Sequence, residues 1–332
     1  MSPHAAGLRL PRPRPRSLAA MIALPLALAA CDAEQSLAPE VQESAPASVA
    51  ADVTPGLAAT PQRIVYAIYR NGQYDISRIN ATGQSPVALT NNTVHEMAPA
   101  WSWDNKRVAL GRLRTNASSY TRPDIYIMNA DGTNGHWART QTCDCDLINP
   151  SWSPDGSRLV VTMLYKGTYY VAYLILGTGQ LSAFSTGYGG LPGTAARYTK
   201  SGQIVYLGPT NTTVFRMSGT GTNIKAIFTA PTGIAMPALS PDGTKLAFAR
   251  LIDADNNWDI FLRNLTTGKT ITIASSPASD RDPSWSPDGS RIAFVSGRAD
   301  NVSQIYTVTP TGGTVTRISY SGKPEAMPAW SH

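Results

Sequence analysis

Three carboxylates of this chain hold the same position relative to a repeated sequence motif. Glu96, Asp280 and Glu325 each stand three residues before the proline of a Pro-x-Trp motif. Carboxylates that a repeat brings to one place could bind a cation, or a Lys or Arg side chain of a partner. The alternative is that each carboxylate caps a backbone amide or pairs with an arginine such as Arg281.

Other polar side chains precede the same motifs and extend this candidate site. The full predicted binding set is His95, Glu96, Asp146, Asp280, Arg281, Asp282 and Glu325. The repeat would bring these residues together because they hold corresponding places in successive copies. We therefore expect one shared binding surface rather than several separate sites.

A second group of carboxylates has the spacing of a hard-cation loop. The alternating residues are Asp253, Asp255, Asn257 and Asp259. An EF-hand would also need Gly at position 258 and Glu at position 264, where this chain has Trp258 and Asn264. The favoured interpretation is a polar hairpin loop, and calcium is the weaker hypothesis. No metal or other cofactor is predicted.

Cys143 and Cys145 are separated by a single residue. A disulfide between residues so close in sequence would be strained, so we expect free thiols or a labile pair rather than a structural disulfide. The two sulfurs could bind a soft metal together with His136, but three candidate ligands on one loop are a weak basis for such a site.

Catalytic motifs are mostly absent from the sequence. There is no Gly-x-Ser-x-Gly elbow and no phosphate-binding glycine loop, and His95-Glu96 is not followed by a second zinc-binding histidine. The sequence therefore predicts a protein that is not an enzyme, with no catalytic residues.

The formal charge of +6 is concentrated at one end of the chain. Arg9, Arg12, Arg14 and Arg16 precede position 31, where no acidic residue occurs, and the remainder carries 24 basic against 22 acidic residues. A nearly neutral body without a basic run argues against nucleic acid as the partner.

Residues 1–30 have the pattern of an export signal, with an arginine-rich start and an apolar stretch too short to span a bilayer. The stretch ends in Leu28-Ala29-Ala30-Cys31, which resembles the bacterial lipobox. That resemblance implies lipidation of Cys31. Residues 31–60 are rich in Ala, Pro and Ser, contain five carboxylates and no basic residue, and are predicted to form a disordered tether.

The remaining residues, 61–332, contain a repeat of about 45 residues. Pro150–Gly156 and Pro283–Gly289 both have the sequence PSWSPDG, and the last copy is the fragment PAWSH. Each copy predicts four short strands, and its second strand is apolar at consecutive positions, as in a sheet covered on both faces. Six second strands predict a six-bladed β-propeller whose first blade is completed by the C-terminal strand.

The repeats PSWSPDGSRIAFVS and DIYIMNADGT resemble the TolB-type β-propeller repeat, a WD-repeat-like family of bacterial envelope proteins. The resemblance implies a propeller fold and does not by itself imply one function. In this geometry the Pro-Asp-Gly and Asp-Gly turns lie on one face. The predicted binding set should lie at the mouth of the central channel on the opposite face.

These observations predict a membrane-anchored envelope lipoprotein, facing the periplasm or the exterior, that binds an envelope protein or peptide. Contact with the membrane would be through the lipid anchor only. The alternative is a carbohydrate-binding or carbohydrate-active propeller. Its support is the set of less regular tyrosines, Tyr120, Tyr165, Tyr169 and Tyr188, which could stack on sugar rings.

Overall fold

The computed structural model describes residues 62–115, 121–184, 190–252 and 257–332. The predicted signal, the predicted tether and Cys31 lie outside the described residues. Those ranges contain twenty-four strands and no α-helix, so the all-β prediction is confirmed. No helix in the described part of the chain has the length and apolar character needed to cross a membrane.

The strands form six antiparallel sheets of four strands each, which are the blades of a propeller. From the centre outwards, blade 1 contains β24 (Glu325–Trp330), β1 (Arg63–Arg70), β2 (Gln73–Asn80) and β3 (Val87–Ala88). Blade 2 contains β4 (Glu96–Trp101), β5 (Arg107–Thr115), β6 (Thr121–Asn129) and β7 (His136–Trp137). Blade 3 contains β8 (Asp146–Trp152), β9 (Arg158–Tyr165), β10 (Thr168–Ile175) and β11 (Gln180–Ala183).

The second half of the ring has the same order. Blade 4 contains β12 (Thr194–Tyr198), β13 (Ile204–Leu207), β14 (Thr213–Met217) and β15 (Lys225–Thr229). Blade 5 contains β16 (Ile234–Leu239), β17 (Lys245–Leu251), β18 (Trp258–Asn264) and β19 (Thr270–Ala274). Blade 6 contains β20 (Asp280–Trp285), β21 (Ile292–Ser296), β22 (Gln304–Val308) and β23 (Thr316–Arg317).

The C-terminal strand closes the ring as predicted. β24 pairs antiparallel with β1, with Trp330 opposite Ile64. The Arg63 N–H donates to Ser331 Oγ at 2.9 Å, and the Ser331 N–H donates to the Arg63 carbonyl at 2.7 Å. Each innermost strand also contacts the innermost strand of the next blade, in the cyclic order β24, β4, β8, β12, β16, β20.

The second strand of each blade is covered on both faces. In β1, Ile64 and Tyr66 pack with β21 and β22 of blade 6, whereas Val65 and Ala67 pack with β5 of blade 2. Side chains of a strand alternate between the two faces of the sheet. A continuous apolar run is therefore what a sheet with a neighbour on each side requires.

The motif tryptophans lie between blades, as predicted. Trp152 is 1 % exposed, and its indole N–H donates to the Ala100 carbonyl of blade 2 at 3.1 Å. Trp285 makes the same bond to the Ala238 carbonyl of blade 5 at 2.9 Å. Each of these side chains thus fills the gap to the preceding blade and fixes the position of its innermost strand.

The Ser-Pro-Asp-Gly turns are held by their own side chains. In blade 3, Ser153 Oγ donates to Asp155 Oδ1 at 2.6 Å and accepts the Arg158 N–H at 3.0 Å. Gly156 has φ 68°, where a side chain would be strained. We call the side of the ring with these turns the tight face. The loop face is the opposite side, with the connections between blades and between second and third strands.

We expect Trp330→Ala to lower the free energy of unfolding by about 3–5 kcal/mol, because Trp330 is 4 % exposed and packs between blades 1 and 6. Deleting Met327–His332 should cost more, since β1 would also lose the part of β24 that pairs with Ile64 and Val65. Val87→Ala on the outermost strand is the control and should change stability little, because Val87 is 39 % exposed. Thermal and urea unfolding measure both effects. An unchanged melting temperature in the truncated protein would contradict ring closure by β24.

Candidate functional site

Every innermost strand carries a bulge at the same place. The register to the second strand shifts there in all six blades. The residue three positions before the aromatic or leucine end of each strand has φ between 47° and 56°: Ala98, Asn149, Ala195, Met236, Asp282 and Met327. Left-handed conformations of residues other than glycine cost energy. Such a conformation persists only where the surrounding structure imposes it.

Asp282 belongs to this set and lies at the centre of the ring. Its Oδ2 accepts the N–H of Met327, on the neighbouring innermost strand, at 3.2 Å. Burial raises the pKa of Asp282, and the Met327 N–H, Arg281 and Arg197 counteract this rise. Arg197 is on β12 of blade 4, which is not adjacent to blade 6. The attraction between Arg197 and Asp282 therefore acts across the central channel.

Burial also shifts the pKa values of Arg197 and Arg281, the two arginines near Asp282. Burial lowers the pKa of Arg197, and the charge of Asp282 opposes that shift. Burial also lowers the pKa of Arg281, and the charge of Asp282 opposes that shift. The Arg281 guanidinium lies 5.5 Å from the centre of the Trp258 ring. The channel thus holds charges of both signs in surroundings that solvate them poorly.

Four of the predicted binding residues are instead buried carboxylates that begin innermost strands. Glu96 and Asp280 are 0 % exposed, Glu325 is 1 % and Asp146 is 2 % exposed. Arg298 Nη2 lies 2.6 Å from Asp280 Oδ2, and Ser276 Oγ donates to Asp280 Oδ1 at 3.2 Å. Such a carboxylate is enclosed by protein and is already paired.

The other three carboxylates have partners of the same kind. Asn92 Nδ2 donates to Glu96 Oε1 at 3.1 Å, and Arg112 Nη1 lies 3.4 Å from the same oxygen.

Arg122 Nη1 donates to Asp146 Oδ1 at 3.0 Å, and Ser319 Oγ donates to Glu325. Burial raises the pKa of Glu96, Asp280 and Glu325, and the side-chain hydrogen bonds of each residue act in the opposite direction. These contacts agree with the alternative prediction, in which each carboxylate is paired inside the propeller and does not bind a ligand.

The predicted residues that solvent reaches are His95, Arg281 and Asp282. His95 lies on the loop face, where its Nδ1 accepts the Tyr74 N–H at 3.3 Å. The Tyr74 ring also contacts Tyr69 edge-on, with centroids 5.2 Å apart. Tyr69, Tyr74 and Arg197 are not among the residues predicted from the sequence. Arg197 could have been found, because Arg-Tyr replaces the Ser-Trp or Ala-Trp of other copies.

Most of the exposed large apolar side chains of the described residues lie on the loop face. Tyr69, Tyr165 and Tyr320 are 38 %, 39 % and 73 % exposed. Tyr69 and Tyr165 lie at the loop-face ends of β1 and β9, and Tyr320 lies in the connection between β23 and β24. Ile252 lies on the loop face as well. Only Val87 and Ile224 of the comparable exposed side chains in the described ranges lie elsewhere, on an outer strand and on the tight face.

The structure describes only part of the candidate calcium site, and it joins the two cysteines of the candidate soft-metal site to each other. Asp253 and Asp255 lie outside the described residues, as do Tyr120 and Tyr188. Asn257 Nδ2 donates to the Ser276 carbonyl at 2.9 Å, and Asp259 is 6 % exposed at the start of β18. Cys143 and Cys145 are joined as a disulfide. Within the described part of the chain, no group of three His, Cys, Asp or Glu side chains could hold a metal ion.

A family model described as the TolB beta propeller domain matches residues 209–332. This part of the chain is thus similar to the TolB-type β-propeller repeat. A TolB homologue of Chlorobaculum tepidum is 31 % identical over 131 residues, which cover 39 % of this chain and 27 % of the relative. The chain thus spans about a quarter of the length of that curated relative.

Solved structures show the same TolB-type fold over most of the chain. TolB from Acinetobacter baumannii has a TM-score of 0.67 at 20 % identity, covering 81 % of this chain and 66 % of that one. An oligogalacturonate lyase in complex with manganese has a TM-score of 0.52 at 12 % identity, covering 78 % and 76 %. Propellers of this fold therefore include both a TolB protein and an enzyme.

The buried carboxylates allow a direct test of their structural role. We expect Arg298→Met to destabilise the TolB-type propeller by about 3 kcal/mol at pH 7, because it leaves Asp280 buried without its cation. The pKa of Asp280, already raised in the folded protein, should rise further. The protonated carboxyl needs no cation, so the loss of stability should shrink as the pH falls through that raised pKa. Urea unfolding at pH 7 and pH 4.5 measures this.

Lys245→Met is the matched control, since it breaks a pair whose Asp242 side chain is 57 % exposed. An exposed pair contributes about 0–1 kcal/mol. If Arg298→Met and Lys245→Met were equally mild, Asp280 would not depend on its arginine and could serve a ligand.

Proposed function

We propose that this protein is a non-catalytic binding scaffold of the bacterial envelope whose loop face docks another envelope protein or a peptide. The observation that carries the proposal is the group of exposed tyrosines on the loop face, Tyr69, Tyr165 and Tyr320. They lie on the same side as the mouth of a channel that contains Asp282, Arg197 and Arg281.

Tyrosine and arginine are enriched in protein interfaces, where a large ring adds contact area at a small cost in side-chain entropy. Tyr69 and Tyr74 already contact each other, and the N–H of Tyr69 donates to the Pro324 carbonyl at 2.7 Å. A partner would therefore meet a surface that is largely ordered before binding, which reduces the entropy lost on association.

The channel residues add a polar element to this surface. Asp282 can accept a hydrogen bond or pair with a cation, and Arg197 carries the opposite charge on the other side of the axis. A peptide whose polar groups entered the mouth would replace solvent there and meet both signs of charge. The predicted residues His95, Arg281 and Asp282 belong to this docking surface, whereas the buried carboxylates support the ring behind it.

The place of the protein in the cell is part of the proposal. An export signal over residues 1–30 and lipidation at Cys31 would tether the propeller to a membrane of the envelope through residues 31–60. A flexible chain of that length has a root-mean-square span of roughly 30 Å. The propeller could then reach partners close to the membrane surface without entering the bilayer.

A carbohydrate ligand is the alternative, and Tyr165 is the observation that favours it. Its ring is 39 % exposed on the loop face, and Tyr169 is on the next strand. An exposed ring can stack on a sugar as well as on a peptide. The fold is shared with an oligogalacturonate lyase, so an acidic glycan is the carbohydrate to test first.

We expect Tyr69→Ala and Tyr320→Ala, made together, to weaken capture of the partner from envelope extract at least tenfold while leaving the melting temperature nearly unchanged. The physical reason is loss of exposed aromatic contact area without loss of core packing. Crosslinking followed by quantitative mass spectrometry measures the capture, with the full chain as bait.

Ile224→Ala is the matched control, because Ile224 is 38 % exposed, like Tyr69, but lies on the tight face. Capture that fell equally with Ile224→Ala would place the partner elsewhere. Binding on an array of glycans that included oligogalacturonates, resisted competition by protein extract and was lost with Tyr165→Ala would favour the carbohydrate alternative.

Lipidation has its own test. We expect Cys31→Ser to move the protein from the membrane fraction to the soluble fraction of the envelope, because the thiol that would carry the lipid is gone. Fractionation and intact-mass measurement of the mature chain check this. A protein that stayed membrane-bound after the substitution would contradict the lipid anchor and leave the propeller assignment untouched.

A further inference from the structure

A disulfide lies in the connection between blades 2 and 3. Cys143 and Cys145 are joined across a single residue, between β7 and β8. A disulfide stabilises a fold mainly by closing a long loop in the unfolded chain, and the benefit grows with loop length. This bond closes a loop with only one intervening residue, so it can add little to the stability of the propeller.

The surroundings of the disulfide are cationic. Arg139 Nη2 donates to Cys143 Sγ at 3.0 Å. Arg114 and Arg122 line the same small cavity as the two sulfurs, together with Asp124. Cys143 is half-buried, whereas Cys145 is 3 % exposed. An incoming reagent would therefore reach the sulfur of Cys143 first.

Asp124 holds the arginines in place. Its Oδ1 lies 3.1 Å from Arg139 Nε, and its Oδ2 lies 3.4 Å from Arg114 Nη1. Arg139 is 7 % exposed, so its guanidinium is fixed by protein contacts rather than by solvent. The Nε of Arg139 contacts Asp124, and its Nη2 donates to the Cys143 sulfur. A cation held beside a cysteine favours its thiolate form and so stabilises the reduced state of the pair.

We propose that Cys143–Cys145 is a redox-active disulfide that exchanges with a dithiol of the cell envelope. A thiolate of that dithiol attacks Cys143 Sγ, a mixed disulfide forms, and Cys145 leaves as a thiolate that takes up a proton. The second thiol of the dithiol, deprotonated, then attacks the partner sulfur of the mixed disulfide. Cys143 leaves as a thiolate beside Arg139, the dithiol becomes a disulfide, and two electrons have passed to the cysteine pair.

Reduction would act on the loop face through the residue between the cysteines. Asp144 Oδ1 lies 2.7 Å from Arg122 Nη2, and Arg122 Nη1 binds Asp146 at the start of β8. The disulfide restrains Asp144 in this arrangement. Opening it frees the segment to move and changes the pairing of Arg122, which links the redox state to the edge of the docking surface.

The full chain, oxidised, is equilibrated with mixtures of reduced and oxidised glutathione, trapped by alkylation and weighed as intact protein. We expect the folded protein to be reduced reversibly. Arg139→Gln should shift the thiol–disulfide equilibrium about tenfold towards the disulfide, because the Cys143 thiolate of the reduced protein loses its neighbouring cation. Arg139→Lys should recover most of the shift, and Arg216→Gln, which removes a charge on blade 4, should have no effect.

A disulfide that resists reduction until the protein unfolds would overturn the proposal, as would equal behaviour of Arg139→Gln and Arg216→Gln. A second measurement applies even if Arg139→Gln does not fold. In Cys145→Ser, the thiolate absorbance of Cys143 at 240 nm should titrate below the ordinary cysteine pKa of about 8.5. A value at or above 8.5 would refute the role of the arginines. None of these outcomes depends on the partner of the loop face.

Discussion

Burial of the second strand on both faces is the constraint on which this structure depends. A sheet with one apolar face could be completed by any covering layer, but β1 presents Ile64 and Val65 to different neighbours. Each blade therefore needs a blade on either side, and a row of blades needs to close on itself. Closure by β24 follows from this requirement, because an open ring would leave an apolar face and a strand edge unprotected.

Closure in turn determines what the centre of the ring can contain. Six innermost strands converge there, and each bends through a bulge whose residue has a left-handed backbone. Glu96, Asp280 and Glu325 begin three of these strands at the loop face and are buried there. Their arginine, amide and hydroxyl partners are a consequence of that burial, since an unpaired buried charge would be too costly.

The repeat made the fold predictable at the level of single strands. The motif at Trp330, which no second strand follows, predicted that the C-terminal strand completes the first blade. The apolar run from Ile292 to Val295 predicted a strand covered on both faces. The candidate site was less predictable, because the sequence shows that a carboxylate recurs but not whether it faces solvent or a partner such as Arg298. That partner lies in the turn after β21, and the motif itself does not specify its position. The contact between Arg139 and Cys143 is equally invisible in the sequence, since it depends on how a loop folds back.

Residues that the ring requires can be separated from residues that it does not require by comparing the blades with one another. A side chain required by the architecture recurs, as Trp152 and Trp285 do, because every blade meets its neighbour in the same way. Arg197, Tyr320 and the Cys143–Cys145 pair occur in one blade each, and the packing of the propeller does not require them. All three are at the channel or on the loop face. Departures from the repeat on that side are therefore the positions that the architecture of the ring does not explain.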